Sequence, residues 1–374
     1  MANTLTALAP TLFSAAQEVS NEPFGVVSAI NMSFDDKMVA KGDTVTVPIA
    51  PTRAASDFTP AATSTAGTDA TATSVAVQIT KSRKVSWNLT GEQIRSLDNG
   101  AQSSEWVRQL VAQGMRTLRN EAEVDACVAI KQGASRATGT AGTTPFASNL
   151  DAMVDVRKIL VDNGAPMADL QLVIDTAAGA TLRKLGIIQN AYQAGNEQER
   201  RSGNLLRQFG FLISESAGIA THTKGTGTSY QLSAAGSVGD TTINVDTGSG
   251  TLLAGDIVTV AGTSHKYVAN SALSGGVFTI GRPGLRAAEA DNDAITIGND
   301  YTPNMAFERN AVVGIMRPPV MPPNPTQQMQ LISDGMGMTY MLLQIAQYGM
   351  LTWELHLAWG FKVVQSEHVA LLLG

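Results

Sequence analysis

The stretch from 103 to 133, SSEWVRQLVAQGMRTLRNEAEVDACVAIKQG, does most to constrain the fold of this chain. Val107, Leu110, Val111, Met115, Leu118, Ala122, Ala126, Ala129 and Ile130 recur at steps of three and four, which gathers them on one face of a helix. Ser103 or Ser104 can accept from the orphan amides of the first turn, and Glu105 suits the positive end of the dipole. Lys131 and Gly133 charge and cap the other end. About 28 helical residues reach ~42 Å at 1.5 Å per residue. A helix of that length, set between a β-rich and an α/β segment, is a strut. Trp106, Leu110, Leu118 and Ile130 mark its length. Arg119 and Glu123 form an exposed i, i+4 pair in this reading; such pairs contribute only about 0.3–0.5 kcal/mol, so packing must hold the helix.

Before the strut, residues 35–90 have strand character. Val45, Val47 and Ile49 alternate, as do Val75, Val77 and Ile79, then Val85, Trp87 and Leu89, with Lys81 and Arg83 between. Residues 51–73 hold almost nothing that could build a core, so the segment predicts a long two-stranded arm with an Ala/Thr tip. An isolated ribbon is marginal in water and needs a surface to lie on. The alternative is a disordered loop in a monomer. Residues 1–34 predict one or two brief helices on an N-terminal arm.

After the strut, 148–161 and 177–185 predict helices, and 170–175 and 209–214 predict strands of an α/β unit. Residues 189–207 are polar and predict a surface loop. From 229 to 297 six short apolar runs (230–232, 241–245, 257–260, 266–268, 277–280 and 294–297), divided by Gly, Asp, Ser and Asn, predict a small barrel or sandwich inserted into that unit. Residues 305–316 predict a further strand of the α/β sheet, and RPPVMPPNP (317–325) a stiff crossover. Leu351, Trp353, Leu355, Leu357 and Trp359 alternate with more polar residues, and the terminal VALLLG predicts a docked strand.

Charged residues are 16% of 374 and the formal charge is −6. So little charge suggests a surface covered by neighbours. The absence of a basic cluster argues against strong gripping of nucleic acid, which needs Lys and Arg to displace counterions. No apolar run reaches membrane length, and MANTLTALAP lacks the basic and apolar regions of a secretory leader, so a soluble, cytoplasmic, reduced protein is expected. Cys127, the one cysteine, is read as a packed residue rather than a nucleophile. His222, His265, His356 and His368 show no metal-ligand spacing. No phosphate loop, dinucleotide fingerprint or nucleophile elbow occurs. The expectation is a non-enzymatic chain with no cofactor, no metal and no catalytic residue.

This order of parts resembles the major capsid proteins of tailed bacteriophages with the Hong Kong 97-type fold, nearest the podovirus coat proteins that carry an inserted β-barrel domain. The resemblance is carried by EWVRQLVAQGMRTLRNEAEVDACVAI, DTTINVDTGSGTLLAGDIVTVAGTSHKYV and LHLAWGFKVVQSEHVALLLG. It implies an α+β chain with an N-terminal arm (1–34), an extended loop (35–90) and a spine helix with peripheral domain (91–144). It further implies an axial domain in two parts (145–222 and 299–320), an inserted barrel (223–298) and a peripheral sheet with the C-terminus (321–374). The loop residues Val75, Val77, Ile79, Lys81 and Arg83 would then meet a neighbouring subunit. The implied function is self-assembly, through pentamers and hexamers, into an icosahedral shell that encloses double-stranded DNA without strong sequence-specific binding. A portal protein is implied as a partner, no membrane is involved, and the location is the virion, assembled in the host cytoplasm. Only about 34 residues precede the loop, too few for an internal scaffolding helix. A separate scaffolding protein is therefore expected, with Glu18, Glu22, Asp35 and Asp36 as its candidate contact. The alternatives are another assembly subunit, of a tail, fibre or surface layer, and an enzyme without a visible site.

Overall fold

The computed structural model describes residues 23–32, 40–49, 73–99, 103–186, 207–321, 327–333 and 338–374, with positions 55, 57 and 60. Its helices are α1 (Val26–Ala29), α2 (Gly91–Asn99), α3 (Ser103–Gly133), α4 (Asp151–Asp162) and α5 (Thr176–Lys184). The early strands are β1 (Thr44–Ile49), β2 (Thr73–Gln78), β3 (Lys81–Thr90) and β4 (Arg136–Gly139). Then come β5 (Leu170–Asp175), β6 (Phe211–Ser216), β7 (Tyr230–Leu232), β8 (Thr242–Asp246), β9 (Ile257–Val260), β10 (Lys266–Val268), β11 (Val277–Thr279) and β12 (Ala294–Ile297). The last are β13 (Pro303–Glu308), β14 (Val312–Arg317), β15 (Gln327–Ser333), β16 (Thr339–Gln347), β17 (Met350–Val363) and β18 (Val369–Leu373).

The chain is α+β, with helix α3 lying across sheets. Val107, Val111, Met115, Leu118, Ala122, Ala126 and Ile130 are buried along one face of this 31-residue helix. They share a core with Trp353, Leu355, Leu357 and Trp359 of β17, and burying each large side chain contributes about 1.5–3 kcal/mol. A five-stranded sheet lies under the helix: β17 pairs along one edge with β16 over Met350–His356 and with β14 over Ala358–Val363, β15 lies beyond β16, and β3 lines the other edge of β17. The second sheet follows the order β11-β8-β7-β12-β9-β10-β4-β18-β13-β5-β6. Its β5, β6, β13 and β18 bury a separate core against α4 and α5.

Several expectations need correction. The second half of the expected arm is not arm: β3 pairs with β17 from Lys81↔Trp359 to Thr90↔Met350. Val85 and Trp87 pack against α3, which approaches closely over Gly114, and Leu89, of the same parity, is buried; that cover is what their apolar alternation required. Only β1 and β2 form a two-stranded ribbon, from Thr44↔Gln78 to Ile49↔Thr73. The stretch expected as one axial strand is two, because Glu308 accepts the Asn310 amide and breaks the chain into a 3-10 turn. β13 then stays beside β5 while β14 joins β17 in the other sheet. The C-terminal strand β18 leaves the peripheral region and inserts between β13 and β4. Its five residues are all buried, Val369, Leu371 and Leu373 in the helix core and Ala370 and Leu372 in the α4–α5 core. A strand apolar on both faces has no other place to lie.

The insertion has its own core, including Tyr230, Ile243, Val258, Tyr267, Phe278 and Ile295. It is not a closed barrel: its six strands make an open path, and a single bridge, Ala269↔Ile280, joins the ends. Nor is its sheet separate, since β10 pairs with β4 through Lys266↔Ala137 and continues into the second sheet. Barrel closure needs a staggered ladder on every strand, and strands of three to five residues supply too little of it. The N-terminal 22 residues, most of 51–72, the polar stretch 187–206 and the prolines of 322–325 lie outside the described residues.

Candidate assembly interface

The ribbon turns one apolar face inward. Val45 opposes Val77 and Val47 opposes Val75, so the valines gather on one side while Thr44, Thr46, Pro48, Ser74, Ala76 and Gln78 face out. Val77 and Ile79 are buried against Val313, Ile315 and Ala358 of the same chain. The crossing is close: a Cβ on Gly360 would sit 2.0 Å from the Gln78 carbonyl oxygen, so only glycine fits there. Farther out, Ile49 and Val75 border a cleft of about 840 Å³ whose other walls include Asn270, Arg282 and Glu367.

The five loop residues singled out from sequence therefore do not share one free surface. Val77 and Ile79 anchor the ribbon's base, and Val75 reaches the cleft. Lys81 and Arg83 turn to the helix: Lys81 Nζ lies 2.8 Å from Asp125 and 3.8 Å from Glu121, and Arg83 Nε lies 2.7 Å from Glu121. Asp125 also accepts from Trp359 Nε1 at 2.8 Å. On the opposite face of β3, Lys84 pairs with Glu354 at 2.7 Å, and Glu354 bonds His356 at 3.0 Å. Burial lowers the pKa of His356, against the opposing pull of Glu354. A histidine lowered on folding contributes stability above the ordinary value of about 6.5 that is lost as pH falls through that region. Acidification from neutral is thus expected to depress the melting midpoint, and His356→Gln to flatten that slope in calorimetry.

Of the spine residues named from sequence, Leu118 and Ile130 are buried, Leu110 is half-buried and Trp106 is 38% exposed. Arg119 and Glu123 are not an exposed pair but buried groups. Glu123 accepts from the Val26 and Val27 amides at 2.8 and 3.0 Å and from Ser216 Oγ at 2.6 Å, holding the start of α1 against the spine. Burial raises its pKa against those bonds. The Arg119 guanidinium stacks 3.8 Å over the Phe24 ring. Nothing in the spacing of 119 and 123 signals this, because both partners come from segments far off in sequence. Cys127 is buried and burial pushes its thiol well up, as a packed residue requires.

At the junction of spine and insertion, Asp256 is buried and accepts from the Gly225 and Leu253 amides. His222 lies between Asp256, 2.9 Å from Nε2, and Lys131, 3.1 Å from Nδ1. Tyr301 Oη donates to the Gly255 carbonyl at 2.6 Å. This cluster, which the sequence alone did not bring together, ties the insertion to the end of α3. The two-residue turn between β16 and β17 presents Tyr348, 96% exposed and at φ 49° beside Gly349 at φ 74°. Left-handed turns of this kind match the twist of paired strands.

Among the described residues no group of three metal-ligating side chains occurs, and no helix is long and apolar enough to cross a membrane. Glu18, Glu22, Asp35 and Asp36 lie outside the described residues.

No family model matches the sequence, and no curated protein matches it. Among solved structures, the chain is similar to one of Mycobacterium phage Che8 at 12% identity and TM-score 0.48, covering 92% of this chain and 93% of that one. It is similar to the capsid structure of the cyanophage P-SCSP1u at 12% identity and TM-score 0.47, covering 92% and 90%. The virus-like particle from Pyrococcus furiosus aligns at 11% identity and TM-score 0.45, over 97% and 98%. Likenesses this distant do not place the chain in a family.

Proposed function

We propose that this chain is a shell-forming structural subunit, the major capsid protein of a tailed bacteriophage of the Hong Kong 97 type. In this reading it assembles through pentamers and hexamers around double-stranded DNA, acts without catalysis, and resides in the virion after assembly in the host cytoplasm. The observation that carries the reading is the ribbon. It is anchored at its base by Val77 and Ile79 yet turns Thr44, Thr46, Pro48, Ser74 and Ala76 outward, and its strands belong to neither large sheet. A two-stranded ribbon is marginal by itself, so an adjacent subunit is its natural support. The low charge of the chain and the long strut bearing sheets agree with a protein whose work is self-association. The nearer likeness to podovirus coat proteins with an insertion, a separate scaffolding protein and a portal partner are parts of the same proposal.

Negative-stain microscopy of the purified chain, alone and coexpressed with a candidate scaffolding protein, tests it. Closed polyhedral shells are expected, uniform only with the scaffold. Small particles alone under both conditions would overturn the shell reading, and uniform shells from the chain alone would refute the scaffold requirement.

A further inference from the structure

Sheet edges are normally guarded by charge, proline, a bulge or a covering segment, because an open row of N–H and C=O groups is a template for further pairing. In the two large sheets the other edges are guarded. β3 carries Lys81, Arg83 and Lys84, and β11 is covered by Asn270 and Ser274, whose amides donate to the Thr279 and Val277 carbonyls. β6 holds Glu215 and is followed by Ala217, whose amide donates to the Pro23 carbonyl. β14 is covered by Asn31, which accepts from Gly314 and donates to Val312. β15 stands apart. Its seven residues, QQMQLIS, include no charge, proline or glycine, and its second edge pairs with no described strand. Ile332 is buried in the helix core, while Met329 and Leu331, of opposite parity, are 47% and 51% exposed on the other face.

We propose that β15 pairs antiparallel with β15 of a second copy of this chain, about a two-fold axis at Gln330. This rests on the reading of the chain as a self-assembling subunit. The strand itself selects the occupant. Self-pairing of a charged strand sets like charges near one another, and β15 has none to set. A two-fold axis normal to the sheet brings residues of like parity opposite each other, since a one-residue slip would turn side chains to the wrong face. Of the registers this allows, the one centred on Gln330 uses all seven residues. It sets Met329 against Leu331 twice, covering both exposed apolar side chains, with Gln327 against Ser333 and Gln328 against Ile332. The two five-stranded sheets then become one. The contact falls well short of the roughly 800 Å² per partner of a standard interface, so it is weak alone and suits a subunit held by many contacts.

The test is Gln330→Cys in a Cys127→Ser chain, with a parallel preparation that keeps the buried Cys127 as a folding control. In the proposed register residue 330 faces its own copy, and opposed antiparallel residues at about 4.5–5.5 Å between Cα atoms fall within disulfide reach. Residue 328 is about 14 Å from its copy at 3.4 Å per residue, so Gln328→Cys is the matched control. Under mild oxidation, non-reducing electrophoresis is expected to show Gln330→Cys linking on the order of ten-fold faster than Gln328→Cys, the mark of a raised effective concentration. Equal rates at the two positions, or no link at 330, overturn the pairing. Micrographs of the same samples separate the two claims. Shells with a free thiol at 330 overturn this contact and leave the shell reading standing; dimers linked at 330 without shells do the reverse.

Discussion

Leu118→Pro is expected to remove assembly-competent protein. Leu118 sits near the middle of the 31-residue helix α3 and is 1% exposed. Proline there deletes one helical hydrogen bond and clashes with the preceding turn, at a cost of ~3 kcal/mol or more. Losing the buried leucine adds about 2–5 kcal/mol, the range for large-to-small changes in a core. Together these rival the ~5–15 kcal/mol by which whole domains are stable. Leu118→Ala separates the terms, since it keeps the helix and loses only packing. Circular dichroism and sedimentation are expected to show a folded, destabilised Leu118→Ala and an unfolded or aggregated Leu118→Pro. A Leu118→Pro chain that still built regular shells would refute a continuous helix.

The second large effect is expected at Asp256, which is fully buried. Its carboxylate accepts the amides of Gly225 and Leu253 and meets His222. Asp256→Ala leaves the Gly225 and Leu253 amides and His222 Nε2 without their acceptor, and each buried hydrogen-bonding group left unsatisfied costs about 1–3 kcal/mol. Hydrogen exchange is expected to rise first in β9 and β10 and in the 222–228 segment, ahead of α4 and α5. Uniform exchange across the chain would show that the insertion does not open separately.

Much of this architecture was legible in local pattern. The three- and four-residue spacing over 103–133, the LQLVID run and the short apolar runs of 229–297 each became the element their period implied. Partnership was not legible. Val85, Trp87 and Leu89 alternate equally well in a free arm and in a sheet, and only the strand 270 residues later decides which. Arg119 and Glu123 looked like a surface pair because helical spacing reports neighbours on the helix, not what lies over it. Lys81 and Arg83 looked free for a neighbour because their acidic partners belong to a different element. The edge of β15 is visible only when the strand order is known.

The pairing of β3 with β17 also dictates timing. Trp359 reaches Asp125 across 234 residues, and Lys84 reaches Glu354 across 270. At a synthesis rate of roughly 5–20 residues per second, the apolar stripe of α3 waits tens of seconds for the strand that covers it. During that interval an uncovered helix and an unpaired β3 coexist on the ribosome, and contacts so distant in sequence close slowly even afterwards. Nascent chains are therefore expected to engage holding chaperones, and newly made subunits to reach a competent state only after a lag set by translation of β17.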